Sequence, residues 1–411
     1  MPRGHSIAPA NFLGSTHILP DRTAFELGLM YSRSVTAKLK FHAGCVMSQS
    51  SEQFNPDFQP TGIEGGVDTN LLPWIAIEAV DGMSIKTMRA SGETGAFSVI
   101  IKLESDATMP AAVYLSGMDM LLLSGNIRYS QGDQVSLLTP GTWGYISANS
   151  KVAGMHAETE SEILVNFYGA VAFLDRQHAV STILTSLDIM RKALEHGVAL
   201  VPSTLAGCIQ DRPVPLKNVS EPLAIFADDA RKLVLAEADG ADADSADAGA
   251  GYSHPHFVDT KQVPWGIIPT LPNIGLKILR VSEDNGTVSL IVRHTGIAGG
   301  HTHLGASDFL VLNGYIGYRA GPPEGYGPGV WFFEPSGARH EATQSIGTDD
   351  LIYTANVYGP LVFDEGKGTP ITAVLSWIEY KALAGAFGVN LVSSANPNDS
   401  SLLASAPLKG S

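Results

Sequence analysis

Cysteine is almost absent from this chain: Cys45 and Cys208 are the only two among 411 residues. Two thiols so far apart in sequence exclude a disulfide-dense secreted scaffold and suit a reducing compartment. Long apolar runs are missing as well. No stretch reaches the 18 or more residues that read as a bilayer-spanning helix, and the opening "MPRGHSIAPANFLGSTHILP" has no apolar core of the secretory kind. The expectation is a cytoplasmic protein with no membrane partner. Basic residues are the third shortage, with 26 Lys and Arg against 41 Asp and Glu and a formal charge of −15. A surface of that sign repels phosphate backbones, so nucleic acid is not an expected partner.

What is present is a duplication. "VDTNLLPW" at Val67–Trp74 returns as "VDTKQVPW" at Val258–Trp265, 191 residues later. "LLLSGNIRY" at Leu121–Tyr129 returns as "LVLNGYIGY" at Leu310–Tyr318, and "NFYGAVAFLD" at Asn166–Asp175 as "NVYGPLVFDE" at Asn356–Glu365. "STILTSLDIMRKALEHGV" from Ser181 matches "TAVLSWIEYKALAGAFGV" from Thr372. Four blocks in one order at nearly one offset are hard to obtain by chance, so the chain reads as a duplication.

Both halves share a texture of short β-branched and aromatic runs, such as "FSVIIKL" and "SLIVRH", separated by Gly, Pro, Asn and Asp. That pattern predicts an all-β sandwich or barrel in each half. Ser124-Gly125 and Asn313-Gly314 stand between paired apolar runs, where a tight hairpin needs positive φ. A closing amphipathic helix is expected in each copy, marked by Ile183, Leu184, Leu187 and Leu194 and by Val374, Leu375 and Ile378, with core packing the favoured use. The boundaries read as an N-terminal extension over 1–65, a barrel over 66–200 and a connector over 201–256. A second barrel over 257–392 and a flexible tail over 393–411 complete the chain. Within the connector, "EADGADADSADAGAG" is too rich in Ala, Asp and Gly to bury a core and reads as a flexible linker. The barrels it joins are expected to be otherwise independent.

The chemistry concentrates in "GGHTHLGASDFLVLNG", Gly299–Gly314. His301 and His303 are two apart, which on a strand sets both imidazoles on one face. Asp308 follows a small, turn-forming spacer, and His340 arrives in "FEPSGARHEA" behind a Pro-Ser-Gly corner. Three imidazoles and a carboxylate form a reasonable ligand set for Fe(II), Mn(II), Ni(II) or Zn(II), and the absence of thiolates weighs against a structural zinc clamp. His294 in "IVRHTG" could lie near this site, with a hydrogen-bonded strand histidine the plainer reading. "SHPHF" offers His254 and His256 without a third ligand, and His42 with Cys45 has no second pair. Both read as ordinary loop residues.

These residues resemble the two cupin motifs, commonly written G-x5-H-x-H-x3–4-E-x6-G and P-x-G-x2-H-x3-N. Asp308 stands where glutamate is usual, Gly314 comes one residue early and Gln344 replaces the final asparagine. The wording of "DTKQVPW", "LKILRVSEDNGTVSLIVRH" and "HTHLGASDFLVLNGYIGYRAG" is similar to 2,4′-dihydroxyacetophenone dioxygenase, to acetylacetone-cleaving dioxygenases and to anti-sigma-factor cupin domains. The resemblance covers Phe257 to Lys381, and Val67 to Asp175 as a degenerate copy. It implies a bicupin, two double-stranded β-helix jelly-roll barrels, with a mononuclear non-haem Fe(II) in the second; Zn(II), Ni(II) or Mn(II) stay open. It further implies a small-molecule hydroxy-ketone or β-diketone that chelates the metal while O₂ cleaves its C–C bond. His301, His303 and His340 would be ligands, and Asp308 a ligand or catalytic base.

A cation at Arg319 could hold an anionic substrate. Tyr318, Trp331, Phe333, Tyr353 and Asn356 are candidate pocket walls, since small-molecule sites combine apolar surfaces with a few polar groups. A homodimer is the expected assembly. Two other functional classes remain open: a metal- or ligand-binding sensor without turnover, and a redox-neutral isomerase or hydrolase. The first copy should be metal-free, because Ala112 and Tyr114 stand where the second has His301 and His303, while Asp119 matches Asp308 and Tyr145 or a neighbour matches His340.

Overall fold

The computed structural model describes residues 66–131, 134–204, 256–268, 271–317, 324–340, 342–364 and 370–394, with backbone alone at Gln131, Gln134, Leu271 and His340. The N-terminal extension, the acidic stretch, Cys45, His42, His254, Tyr318 and Arg319 lie outside these residues. Among the described residues, no helix is long and apolar enough to cross a membrane.

Among the described residues, nine corresponding strands and one helix recur in each half, besides several further strands. The first runs β1 Met83–Ala90, β2 Phe97–Leu103, β3 Ala112–Tyr114, β4 Met118–Ser124, β5 Thr142–Ile146, β6 Ser150–Val152, β7 Ser161–Phe167, β8 Val171–Leu174 and β9 Val180–Leu184, then α1 Ser186–Glu195. The second runs β10 Leu271–Val281, β11 Val288–His294, β12 His301–His303, β13 Ser307–Asn313, β14 Val330–Glu334, β15 Arg339–His340, β16 Leu351–Val357, β17 Leu361–Asp364 and β18 Ile371–Leu375, then α2 Trp377–Ala386. The large sheets are ordered β5-β4-β7-β2-β1 and β14-β13-β16-β11-β10, and the small ones β6-β3-β8-β9 and β15-β12-β17-β18. The second order is the first advanced by nine strands, so the written duplication is a duplication of architecture.

Strand alternation divides the apolar residues among three cores. In β13, Phe309 and Val311 face the interior of the second barrel, while Leu310 and Leu312 face the first barrel's large sheet. In β2, Phe97, Val99 and Ile101 turn inward and Ile100 joins the core between the barrels. Burial on both faces explains why these strands read as nearly unbroken apolar runs instead of alternating ones.

The barrels are not independent, because they exchange their first strands. Val67–Asp68 pairs with Trp331 and Val330 of β14, while Phe257–Asp259 pairs with Gly144, Trp143 and Thr142 of β5. Thr69 Oγ1 donates to Gly329 O at 2.6 Å, and Thr260 Oγ1 donates to Gly141 O at 2.8 Å. Beyond each threonine the tryptophan of the repeated motif stacks on two cations of its own half: Lys86 and Lys102 on Trp74, Lys277 and Arg293 on Trp265. "VDT-x3-PW" is therefore an exchange arm, used twice.

Gly125 and Gly314 have φ of 76° and 67°, as their hairpins require. A Cβ at Gly125 would meet Glu160 O at 2.2 Å, so both conformation and space demand glycine there. The helices begin later than the apolar spacing suggests. Ile183, Leu184, Val374 and Leu375 belong to β9 and β18, and capping boxes at Thr185 with Asp188 and Ser376 with Glu379 start the helices proper. Ile189 and Ala193, with Tyr380 and Ala384, form the buried faces, whereas Leu187, Leu194 and Ile378 are exposed, contrary to the expected core stripe.

Candidate metal centre in the second barrel

The short strand β12 carries His301 and His303 with ring centroids 4.8 Å apart. The Pro-Ser-Gly corner is tied to the same strand: Gly337 N donates to His303 O at 2.7 Å, and His303 N donates to Ala338 O at 2.8 Å. Gly337 has φ of 85°, which turns the chain into β15. There the backbone of His340 pairs in register with His301. The two motifs, 37 residues apart, thus converge through four residues of backbone.

The tautomer of His301 follows from its neighbour. Its Nδ1 lies 3.0 Å from Gly299 O, and a carbonyl can only accept, so Nδ1 carries the proton and Nε2 keeps its lone pair. His303 Nε2 lies 2.5 Å from Glu334 Oε2, with both side chains 3% exposed. Imidazole nitrogens and carboxylate oxygens are both common ligands of divalent metals, and here they are buried side by side. The donor set of His301, His303, His340 and Glu334 fits a borderline divalent metal by ligand chemistry. Among the described residues, which leave out the His340 side chain, no group of three or more His, Cys, Asp or Glu is assembled around a common point.

Glu334 went unnoticed in the sequence, although it was visible there as the one charge ending "VWFFEPSG". It lies on β14 across from Ser307, so the carboxylate of this site comes from a neighbouring strand. Asp308, the expected carboxylate, is placed elsewhere. It follows Ser307 by one residue, and alternation turns it to the opposite face, toward the other barrel. Its side chain accepts from Asn356 Nδ2 and Asn166 Nδ2, each at 3.3 Å, and from the Tyr358 hydroxyl. Asp119 accepts the matching set from Asn166 at 3.0 Å, Asn356 at 3.4 Å and the Tyr168 hydroxyl. Two carboxylates, two amides and two phenols thus form a nearly symmetric buried cluster between the barrels. Burial, reinforced by the Asp119 charge, pushes the Asp308 carboxyl up to about 7.

The expected pocket residues divide in the same way. Asn356 belongs to that cluster, while Trp331 and Phe333 lie in the core between the barrels, Phe333 under the guanidinium of Arg89. These three are corrected as walls of the second barrel's interior, for the alternation reason that moves Asp308. Tyr353 does face that interior, packed on Phe309 and on His294. Phe363 lies against His301, its centroid 4.9 Å away.

In the first barrel, Ala112 and Tyr114 hold the places of His301 and His303. Register corrects the third place: Val152 pairs with Ala112 as His340 pairs with His301, so the counterpart is Val152 and not Tyr145. Ile146, opposite Met118, stands where Glu334 stands opposite Ser307. The four candidate ligand positions of the second barrel are Ala, Tyr, Val and Ile in the first.

The ChrR cupin-like domain matches residues 64–172 and 253–358, together just over half of the chain. Solved structures similar to it include an acetylacetone dioxygenase from Acinetobacter johnsonii, 16% identical over 37% of this chain and 97% of that one, with a TM-score of 0.28. A cupin protein from Ralstonia eutropha is 20% identical over 31% of this chain and 86% of its own, at 0.28. A deletion mutant of the Bacillus subtilis oxalate decarboxylase is 11% identical over 75% and 79%, at 0.41. No protein of curated function matches the sequence. With paired strand orders, two matched segments and the histidine motifs in the second, the chain belongs to the ChrR cupin-like domain family as a two-barrel member.

Proposed function

We propose that the second barrel is a mononuclear metal centre, with Fe(II) ahead of Zn(II), Ni(II) or Mn(II), that cleaves a C–C bond of a chelating hydroxy-ketone or β-diketone with O₂. The observation that supports this reading is the buried contact of His303 with Glu334 on a strand that also carries His301, the register partner of His340. Bound there, the metal would supply Lewis acidity and a common centre at which ketone oxygens and O₂ can meet.

The chain's own residues do the rest. Gly299 O orients the His301 ring, and Glu334 offsets positive charge beside His303. Phe309, Phe332 and Val311 make the barrel interior apolar and so limit the access of water to the reaction. For a hydroxymethyl ketone the balance needs no further co-substrate: R–CO–CH₂OH and O₂ yield R–COOH and HCOOH. The test is oxygen uptake by Fe(II)-loaded protein with a hydroxymethyl ketone and with a β-diketone, together with formate release from the former. Ligand binding without uptake of oxygen favours the sensor reading, and product formed without oxygen favours the redox-neutral one.

A further inference from the structure

The two barrels differ in how they fill the interior beside the ligand strand. In the first, one row of paired residues crosses four strands: Phe97 of β2 opposes Phe167 of β7, Phe167 opposes Met118 of β4, and Met118 opposes Ile146 of β5. The matching row of the second is Val288 of β11, Val357 of β16, Ser307 of β13 and Glu334 of β14. Apart from the glutamate, every member is smaller. Directly opposed residues share a face of the sheet, and in both barrels this face is the interior.

Ring contacts show where the missing bulk belongs. Phe97 and Phe167 stack with centroids 4.6 Å apart, and the Phe167 ring lies nearly parallel to that of Tyr114, centroid to centroid 6.3 Å. Tyr114 holds the place of His303, so the first barrel sets an aromatic ring directly beside that ligand position. Val357 is too short to reach there, and Ser307, opposite Glu334, withdraws a further side chain. Exchanging two phenylalanines and a methionine for two valines and a serine removes on the order of 150 Å³ of side chain, and an apolar cavity of about that size holds benzene. The stacked pair of the second barrel, Phe309 with Phe332, lies on the next inward row, two residues along from Ser307 and Glu334. From the helix side, half-buried Trp377 packs on this core beside Gly286 in the β10–β11 turn, in the place of Ser186.

We propose that Val357, Val288 and Ser307 are specificity-determining residues. They open a largely apolar subsite next to His303, which takes a compact apolar substituent of the bound ketone, about the size of the absent Phe167 ring. The inference rests on the ketone-chelating reading and narrows it to ketones that carry such a group. Burying the group adds binding that a methyl ketone lacks.

The test uses the full chain loaded with Zn(II), so that binding is measured without turnover, and compares wild type with Val357→Phe and Val357→Leu. Four probes are titrated calorimetrically, in two pairs that differ in a ring: hydroxyacetone with 2-hydroxyacetophenone, and 2,4-pentanedione with 1-phenyl-1,3-butanedione. Wild type should bind the ring-bearing member of a pair roughly ten- to a hundredfold more tightly. Val357→Phe, which restores the first barrel's residue, should keep its zinc and bind the methyl ketones within about threefold of wild type, while the ring-bearing ketones fall to the same level. Val357→Leu, a milder filling, should lose part of the preference. Metal-free Val357→Phe should melt no lower than wild type, because the added ring enters open space. No preference in wild type, equal weakening of both members of a pair by Val357→Phe, loss of zinc or a lower melting temperature each overturns the proposal. The last result would mean that the place beside His303 is already filled. If zinc-loaded wild type binds none of the four probes, the ketone-chelating reading itself fails, a result distinct from all of these.

Discussion

Replacing Asp308 with asparagine separates two accounts of this residue. If it sits between the barrels, its loss alters stability with pH and leaves the metal in place; as a ligand, its loss empties the site. The magnitude follows from the displaced carboxyl, which ordinarily titrates at 3.8 and here at about 7. Between those values the folded protein keeps the proton and the unfolded chain releases it, so stability falls as pH rises through the window. Above about 7 both states are ionised and the slope ends. Roughly three pH units at about 1.4 kcal/mol each give up to ~4 kcal/mol of accumulated penalty by pH 8. Asp308→Asn removes it. Urea unfolding of both proteins at several pH values should therefore give curves that converge near pH 4 and separate toward pH 8, the variant being the more stable by about 2–4 kcal/mol. Asp119 stays and adds its own slope to both, so the difference between them is the quantity to read. A pH-independent difference, a variant less stable at pH 8, or lost metal occupancy would refute this placement.

Other outcomes follow from the same geometry. His301→Ala and His340→Ala should abolish metal occupancy, measured by elemental analysis, while Tyr114→Ala should leave it unchanged. Glu334→Gln should weaken metal affinity by at least roughly tenfold, the smallest loss expected even for a group that only supports a ligand, and a competition titration that finds no change would return Glu334 to a purely structural role. A chain of residues 256–394 alone lacks the Val67–Asp68 arm and uncovers Trp331, which is 0% exposed in the whole protein. It should aggregate or associate on size exclusion, and a stable monomeric half would count against the exchange.

Much of this was legible without coordinates. The 191-residue offset announced two equal units, because a repeat that long preserves every local preference of the first copy. The positive φ at Gly125 and Gly314 and the shared face of His301 and His303 could be read from residue type and spacing, since turn chemistry and strand alternation are local properties. The helix starts were misjudged because an apolar strand runs directly into a capping residue, and spacing alone does not separate Ile183 from Leu187.

By itself the sequence determined the duplication, the strand-rich texture, the hairpin glycines and the asymmetry between an armed and an unarmed copy. Tertiary structure alone decided which carboxylate meets the histidines, where the exchange arms go and what faces what across the barrels. Those outcomes depend on pairing between strands far apart in the chain: β14 brings Glu334 opposite Ser307, and one step along the same strand Phe333 is set opposite Asp308 on the other face. A single residue of register separates the two faces, so a motif matched by spacing reached the right strand and the wrong carboxylate.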